Sequence, residues 1–253
     1  AISKRRMRYK SVQRVVDEIK HVHYTYGVDR VNFFDDTFIV DDKRVVKLCA
    51  GLKDIHDDGI LYDWHCLTRA DRTDPELFRI MKGAGCSQVT YGIETGSQKI
   101  LDVIEKQTTV EENMNAIKIA KAAGIKVRAQ MIVGLPGETQ ETVEETANFI
   151  REAPADSFGM HIFVPLPGGQ IWNDPERFNF PIDKDTTFEY YHTIGKRTEE
   201  DAAYLHQNPK QIIEWKNYLV RVIGERNIVK FAEVRASDKE DLRGTVMSSG
   251  YVQ

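Results

Sequence analysis

Cysteine is scarce in this chain: Cys49, Cys66 and Cys86 are the only three in 253 residues. An odd number at wide spacings argues against a disulfide framework and suits a reducing compartment. Those spacings match no metal-binding motif either. Apolar runs of membrane-spanning length are missing, as is a secretory signal, so a cytoplasmic protein without a membrane partner is expected. Nor is there an excess of positive charge. The formal net charge of −4 gives no general attraction to nucleic acid or to an anionic membrane. The local exception, "KRRMRYK" from Lys4 to Lys10, reads as a solvated lead-in to a helix. Among the seven histidines, none has a neighbour at ligand spacing. His65 and His161 fall in strand-like runs and are expected in a core or along a barrel lining.

One further absence narrows the chemistry. The stretch "MIVGLPGETQET", Met131 to Thr142, places a glycine-rich turn between an apolar strand and a helix, the position of a phosphate cradle. A nucleotide cradle needs backbone N–H groups at the helix start and a lysine for the outer charge. This turn has no lysine and puts Glu138 at the helix entrance, where it would repel a phosphate. A nucleoside triphosphate site is thereby disfavoured.

What is present is a repeated unit. Strand-like runs occur at 31–34, 62–68, 88–93, 127–133 and 158–164, with helical patterning between them. Asp74 before Pro75 reads as an N-cap, and Thr109 with Glu112 as a capping box. "MKGAG" and "AKAAG" close two helices at Gly85 and Gly124, where glycine can take the left-handed conformation. Strand followed by helix, five times over, predicts a parallel sheet with helices outside it. Three more units would be needed to close an eight-stranded barrel. After Val164 the chain offers instead a loop, helical stretches near 183–193 and 198–224, and a polar tail. The expected fold is α/β, a partial TIM-like barrel over residues 1–172 followed by a helical C-terminal extension over 173–253.

In such folds chemistry gathers at the carboxyl edge of the strands. That edge carries "DDTF" (Asp35 to Phe38), "TRAD" (Thr68 to Asp71), "GIETGS" (Gly92 to Ser97), "GLPGET" (Gly134 to Thr139) and "PLPGG" (Pro165 to Gly169). Asp35 or Asp36 alone could cap the helix near Asp41, and Glu94 alone could be an ion-pair partner. Five charged or glycine-bearing endings together point to one shared ligand. It should offer a positive group to the acids and a carboxylate to Arg69 or a lysine.

Taken in order, these endings resemble the radical S-adenosylmethionine enzymes. The resemblance runs over about residues 8 to 172 and is strongest to the branch that also carries a cobalamin-binding domain, which includes radical methylases and the anaerobic magnesium-protoporphyrin monomethyl ester cyclase. It implies a partial (β/α)6 barrel. It also implies a 4Fe-4S cluster held by a C-x-x-x-C-x-x-C loop after the first strand, with S-adenosylmethionine bound to the cluster and cleaved to a 5′-deoxyadenosyl radical that attacks a small-molecule substrate.

Carried over by position, Asp35 and Asp36 lie near the methionine amino group. Glu94 and Lys106 hold the ribose or methionine end and its carboxylate. Ile132 and Gly134 flank the adenine, and Arg69 stands at the same rim. The glycine turn then packs on adenine rather than phosphate, with Glu138 as a buttress or a helix N-terminal charge.

No C-x-x-x-C-x-x-C occurs in these residues. The expectation is a chain lacking the first strand and the cluster cysteines, inactive by itself. Its partners in the same polypeptide would be the cluster loop and a cobalamin domain, both upstream, and its exposed first strand would invite self-association. The competing readings are a cluster-less barrel acting as a scaffold, and a metal-dependent lyase or hydrolase using Asp35, Asp36, His65 and Glu94.

Overall fold

The computed structural model describes residues 9–192 and 199–233; most of the basic stretch at 4–10 and the tail after 233 lie outside them. Five parallel strands form one sheet in chain order: β1 (Arg30–Phe33), β2 (Asp63–Thr68), β3 (Cys86–Glu94), β4 (Lys126–Val133) and β5 (Ser157–Ile162). The sheet is the expected parallel α/β sheet of a partial barrel, with β1 at one edge. Between and after the strands run α1 (Val12–Tyr26), α2 (Asp42–Asp57), α3 (Pro75–Gly83), α4 (Gln98–Val103), α5 (Val110–Ala122), α6 (Gln140–Glu152), α7 (Gln170–Asn173), α8 (Lys184–His192) and α9 (Pro209–Glu233).

The helix ends follow local chemistry. Asp74 accepts the backbone N–H of Leu77 with Pro75 in the first turn, and Thr109 and Glu112 close a reciprocal capping box. Gly85 and Gly124 take φ of +87° and +75°, which lets each helix turn directly into the next strand. Asp41, not Asp35 or Asp36, caps α2. The helical reading of 198–224 is corrected. A 3-10 segment at Glu199–Leu205 ends before Pro209, which opens a separate helix running on to Glu233, since proline is well tolerated only in a first turn.

Strand alternation divides the sheet into two faces. On the convex face Trp64, Cys66, Val89, Tyr91, Ile93, Val127, Ala129, Met131 and Val133 are fully buried against the helices. At roughly 25 cal/mol per Å² of apolar surface removed from water, this layer is the main source of stability. At the β5 end, α9 packs on α6 and β5. There Arg226 donates to the carbonyls of Ala153 (2.5 Å) and Ala155 (2.6 Å) and lies over the Phe158 ring, while Trp215 Nε1 donates to Gln140 (2.7 Å). The C-terminal extension therefore covers the outer face of the last strand, whereas β1 is left as a four-residue edge with Phe34 exposed just beyond it.

Candidate functional site

The rim after β3 is where backbone and side chains depart furthest from ordinary structure. The register of β3 against β4 slips between Gly92 and Glu94, and Glu94 sits at φ +70°. That slip swings the carboxylate back across Gly92 to meet Lys106 Nζ at 2.5 Å. A Cβ on Gly92 would stand 2.5 Å from Glu94 Oε1 and 3.4 Å from Lys106 Nζ, so only glycine leaves room for the pair. Lys106 is itself flanked by Glu105 and Gln107 at φ +54° and +56°. Left-handed backbone at a residue with a side chain costs about 1–2 kcal/mol. Three such residues around one ion pair mark strained backbone held in place by its surroundings, as binding sites often are.

Arg69 joins this group, but not as a spare cation. Its Nε and Nη2 donate to the two oxygens of Asp71 at 2.9 and 3.0 Å, and Nη2 also donates to the Lys106 carbonyl at 3.3 Å. The bond to Asp71 raises the Arg69 pKa, and the bond to Arg69 lowers that of Asp71. In this structure Arg69 is paired with Asp71 and braces the loop bearing Lys106. The Glu94 and Lys106 side chains are 17% and 21% exposed, sheltered enough that their attraction is only partly screened.

The rim after β4 is built differently. Gly134 has φ +88° and is buried, and the Glu138 carboxylate accepts the N–H groups of Gly134 (2.5 Å) and Leu135 (3.2 Å). Of the two readings of Glu138, the structure gives the buttress: the cap of α6 is Thr139. Enclosure pushes the Glu138 pKa up to about 8, against the two N–H bonds that pull it down. Ile132 lies half-buried on the concave face, opposite His161 in register.

Sequence reasoning missed His206, which follows the 3-10 segment of the C-terminal extension. Its ring lies where a Gly134 Cβ would be, 2.6 Å from the ideal position, and its Nε2 is bonded to the Phe163 carbonyl (2.9 Å). Burial lowers its pKa, so its neutral form dominates near pH 7. No local signal could have placed a residue 72 positions away in sequence on this turn.

The remaining candidates stand apart. Asp35 lines a cavity of about 350 Å³ between α1, α2 and β1, and Asp36 is exposed. Neither forms a hydrogen bond or ion pair among the described residues. No three His, Cys, Asp or Glu residues among the described ones could hold a metal ion. Glu94 is engaged by Lys106, while His65 lies beside Asp63 at 4.0 Å, so the metal-dependent lyase reading has no ligand set.

Comparison with known proteins decides the family. The model of the Radical SAM superfamily matches residues 2–150. The chain belongs to the radical SAM superfamily.

Among curated relatives of this radical SAM chain, an uncharacterized methyltransferase of Pyrococcus horikoshii is 34% identical over 168 residues, 66% of this chain and 36% of that protein. The anaerobic magnesium-protoporphyrin IX monomethyl ester cyclase of Rubrivivax gelatinosus is 31% identical over 188 residues, 70% of this chain and 34% of that one. The chain thus spans about a third of the length of these relatives. In fold it is similar to the radical S-adenosylmethionine methyltransferase TsrM of Kitasatospora setae, whose structure holds cobalamin and a [4Fe-4S] cluster, with TM-score 0.54 and 20% identity over 60% of this chain and 29% of that one. The cobalamin-dependent radical enzyme OxsB aligns with TM-score 0.52 and 18% identity over 74% of this chain and 27% of that one.

The radical SAM chain's own cysteines do not suit an iron–sulfur cluster. Cys49, Cys66 and Cys86 are free and buried in the convex-face core. Burial pushes the Cys49 thiol up to about 12 and Cys66 well above its ordinary value, which disfavours the thiolates that iron requires. No helix of the described residues is long and apolar enough to cross a membrane.

Proposed function

We propose that this chain is the S-adenosylmethionine-binding barrel of a radical enzyme of the cobalamin-carrying branch, a methyltransferase or oxidoreductase. On this reading the cluster cysteines and a cobalamin domain belong to the same polypeptide upstream of Ala1. The observation that carries the reading is the Glu94–Lys106 pair folded over Gly92 at the rim. A methionine headgroup is a zwitterion: its ammonium can take Glu94 and its carboxylate Lys106, exchanging one neutral pair for two and leaving no charge unmatched. Arg69 braces the Lys106 loop through its hydrogen bond to the Lys106 carbonyl.

The donor set at the second rim also fits the cofactor. Ile132, half-buried on the concave face beside the turn that Glu138 fixes, offers an apolar side chain to a flat adenine, while the space over Gly134 is taken by His206. Asp35 and Asp36 would close over the amino end from the β1 side. What the cofactor supplies, once bound to a reduced cluster, is a 5′-deoxyadenosyl radical. Glu94, Lys106 and Ile132 would hold the cofactor in one orientation at the rim.

Two measurements test the proposal. Isothermal titration of this chain with S-adenosylmethionine should show saturable binding that Glu94→Gln weakens, and no binding to the native chain would defeat the assignment. The encoding gene should carry C-x-x-x-C-x-x-C within a few tens of residues before Ala1, about one strand-and-loop unit. Its absence there would favour the scaffold reading instead.

A further inference from the structure

On the concave face of the sheet, below the rim, Arg128 is a half-buried cation that no side chain of the described residues answers; Lys126, two residues nearer the foot of the strand, is exposed to water. Arg128 is the third residue of β4, with Thr90 and Ser157 as its register partners on β3 and β5. Val127 and Ala129 on either side of it are fully buried in the convex-face core, so alternation places Arg128 on the concave side. Its Nε is buried without a hydrogen-bond partner, and its side chain makes no hydrogen bond or ion pair among the described residues. A guanidinium stripped of water at one nitrogen and given nothing in return is costly.

No carboxylate of this face reaches Arg128. Asp63 stands at the limit of ion-pair range from Arg30 (3.9 Å) and His65 (4.0 Å), with its own Oδ1 buried and without a hydrogen-bond partner, and Glu94 is taken by Lys106. Around Arg128 the groups are neutral and polar: Thr90, Ser157 and, one step nearer the rim, Gln130. Gln130 Oε1 meets His161 Nε2 at 3.1 Å, which turns the Gln130 amide across β5. The bare Gly159 permits this, since a Cβ there would overlap Gln130 Oε1. The face remains open: His161 is exposed, and Arg128 and Gln130 are half-buried.

We infer that Arg128, with the neutral donors beside it, binds the substrate through a carboxylate. One guanidinium supplies one positive charge and a flat fork of donors, which matches a monoanionic planar carboxylate; a phosphate dianion would leave charge unbalanced. The inference rests on the proposed cofactor site and deepens it. Arg128 lies four residues before Ile132, roughly 13 Å along the strand at about 3.3 Å per residue. A substrate anchored there by its carboxylate would present its other end at the rim.

The test uses this chain with simple probes: benzoate, inorganic phosphate and benzylamine, each titrated and followed by the Arg Nε–H resonances in NMR, with S-adenosylmethionine binding measured on the same samples. Benzoate should bind saturably and shift the Arg128 signal, and Arg128→Gln should weaken it about tenfold, the size of a lost charge-assisted contact. Gln130→Glu, which supplies an internal carboxylate beside Arg128, should weaken benzoate similarly while leaving the melting temperature at or above that of the native chain. It thus serves even if Arg128→Gln fails to fold. Undiminished benzoate binding in a folded variant, no benzoate binding to the native chain, or tighter binding of phosphate or benzylamine would overturn the inference. Benzoate binding that depends on Arg128 without any S-adenosylmethionine binding would keep this anion site and remove the cofactor reading; the reverse result would do the opposite.

Discussion

The two faces of β4 carry opposite chemistry on a single strand. Val127, Ala129, Met131 and Val133 are fully buried against helices, while Arg128, Gln130 and Ile132 face a half-open concavity. A strand buried on both sides in a parallel sheet reads as a continuous apolar run. This one alternates: among the described residues only its convex side is buried in the core. The difference separates two kinds of residue: convex-face substitutions should cost folding, concave-face and rim substitutions should cost binding.

The largest effect expected is on the convex side. Trp64 is fully buried and its Nε1 donates to the Ala84 carbonyl at 2.7 Å. Trp64→Ala should lower stability by about 3–5 kcal/mol in urea unfolding. A loss below about 1 kcal/mol would show that the convex face is not the main core.

The rim should respond the other way. Glu94→Ala or Lys106→Ala removes a charge-assisted contact of about 1.5–3 kcal/mol, so S-adenosylmethionine affinity should fall roughly ten- to a hundredfold by calorimetry. Asp102→Ala, at an exposed residue whose side chain is bonded only to Gln98 among the described residues, should leave affinity unchanged. Equal losses at all three positions would mean general destabilisation and erase the distinction between faces.

Gly134→Ala tests whether the second rim belongs to the site or to the core. It strains a φ of +88° and brings a Cβ within 2.6 Å of the His206 ring, for an expected loss of about 1–3 kcal/mol in stability. The double variant with His206→Ala should recover the steric part. If it recovers nothing, the imidazole is not what confines the turn.

Glu138 gives a pH signature to the same turn. Its pKa stands at about 8 in the folded chain against an ordinary 4.5, so the folded state holds the proton more tightly. The stabilising contribution is fully present below about 4.5 and is lost as pH rises towards 8. Glu138→Gln can still accept both backbone N–H groups through its amide oxygen. Melting curves at pH 6 and 8.5 should therefore converge in the variant relative to the native chain. An unchanged pH dependence would place the titrating group elsewhere.

The smallest effect belongs to the β1 edge. Asn32→Lys, at an exposed position of this edge strand, should change stability by no more than about 0.5 kcal/mol. It should also reduce any concentration-dependent association seen by sedimentation, because a charge on an open edge disfavours pairing with another strand. A native chain that stays monomeric at all concentrations would remove the self-association expectation.

By itself the sequence determined what depends on neighbours along the chain. The alternation in 127–133, the Asp74–Pro75 cap, the Thr109–Glu112 box and the glycines at 85 and 124 dictate local backbone and therefore the strand–helix repeat. Glu94, Lys106 and Gly134 were legible as rim residues because, in parallel α/β folds, strand ends converge at one edge.

Tertiary structure alone decided the contacts made across the chain. It paired Arg69 with Asp71, and it cleared Gly92 for the ion pair of Glu94 with Lys106, fourteen positions beyond that glycine. His206 was brought onto Gly134 by the extension. Arg128 was left without a partner because strand register and the facing residues, not the strand's own sequence, set what each inward side chain meets. Propensity and capping act over a few residues; charge pairing and steric exclusion act through space, and only the folded sheet specifies which residues share it.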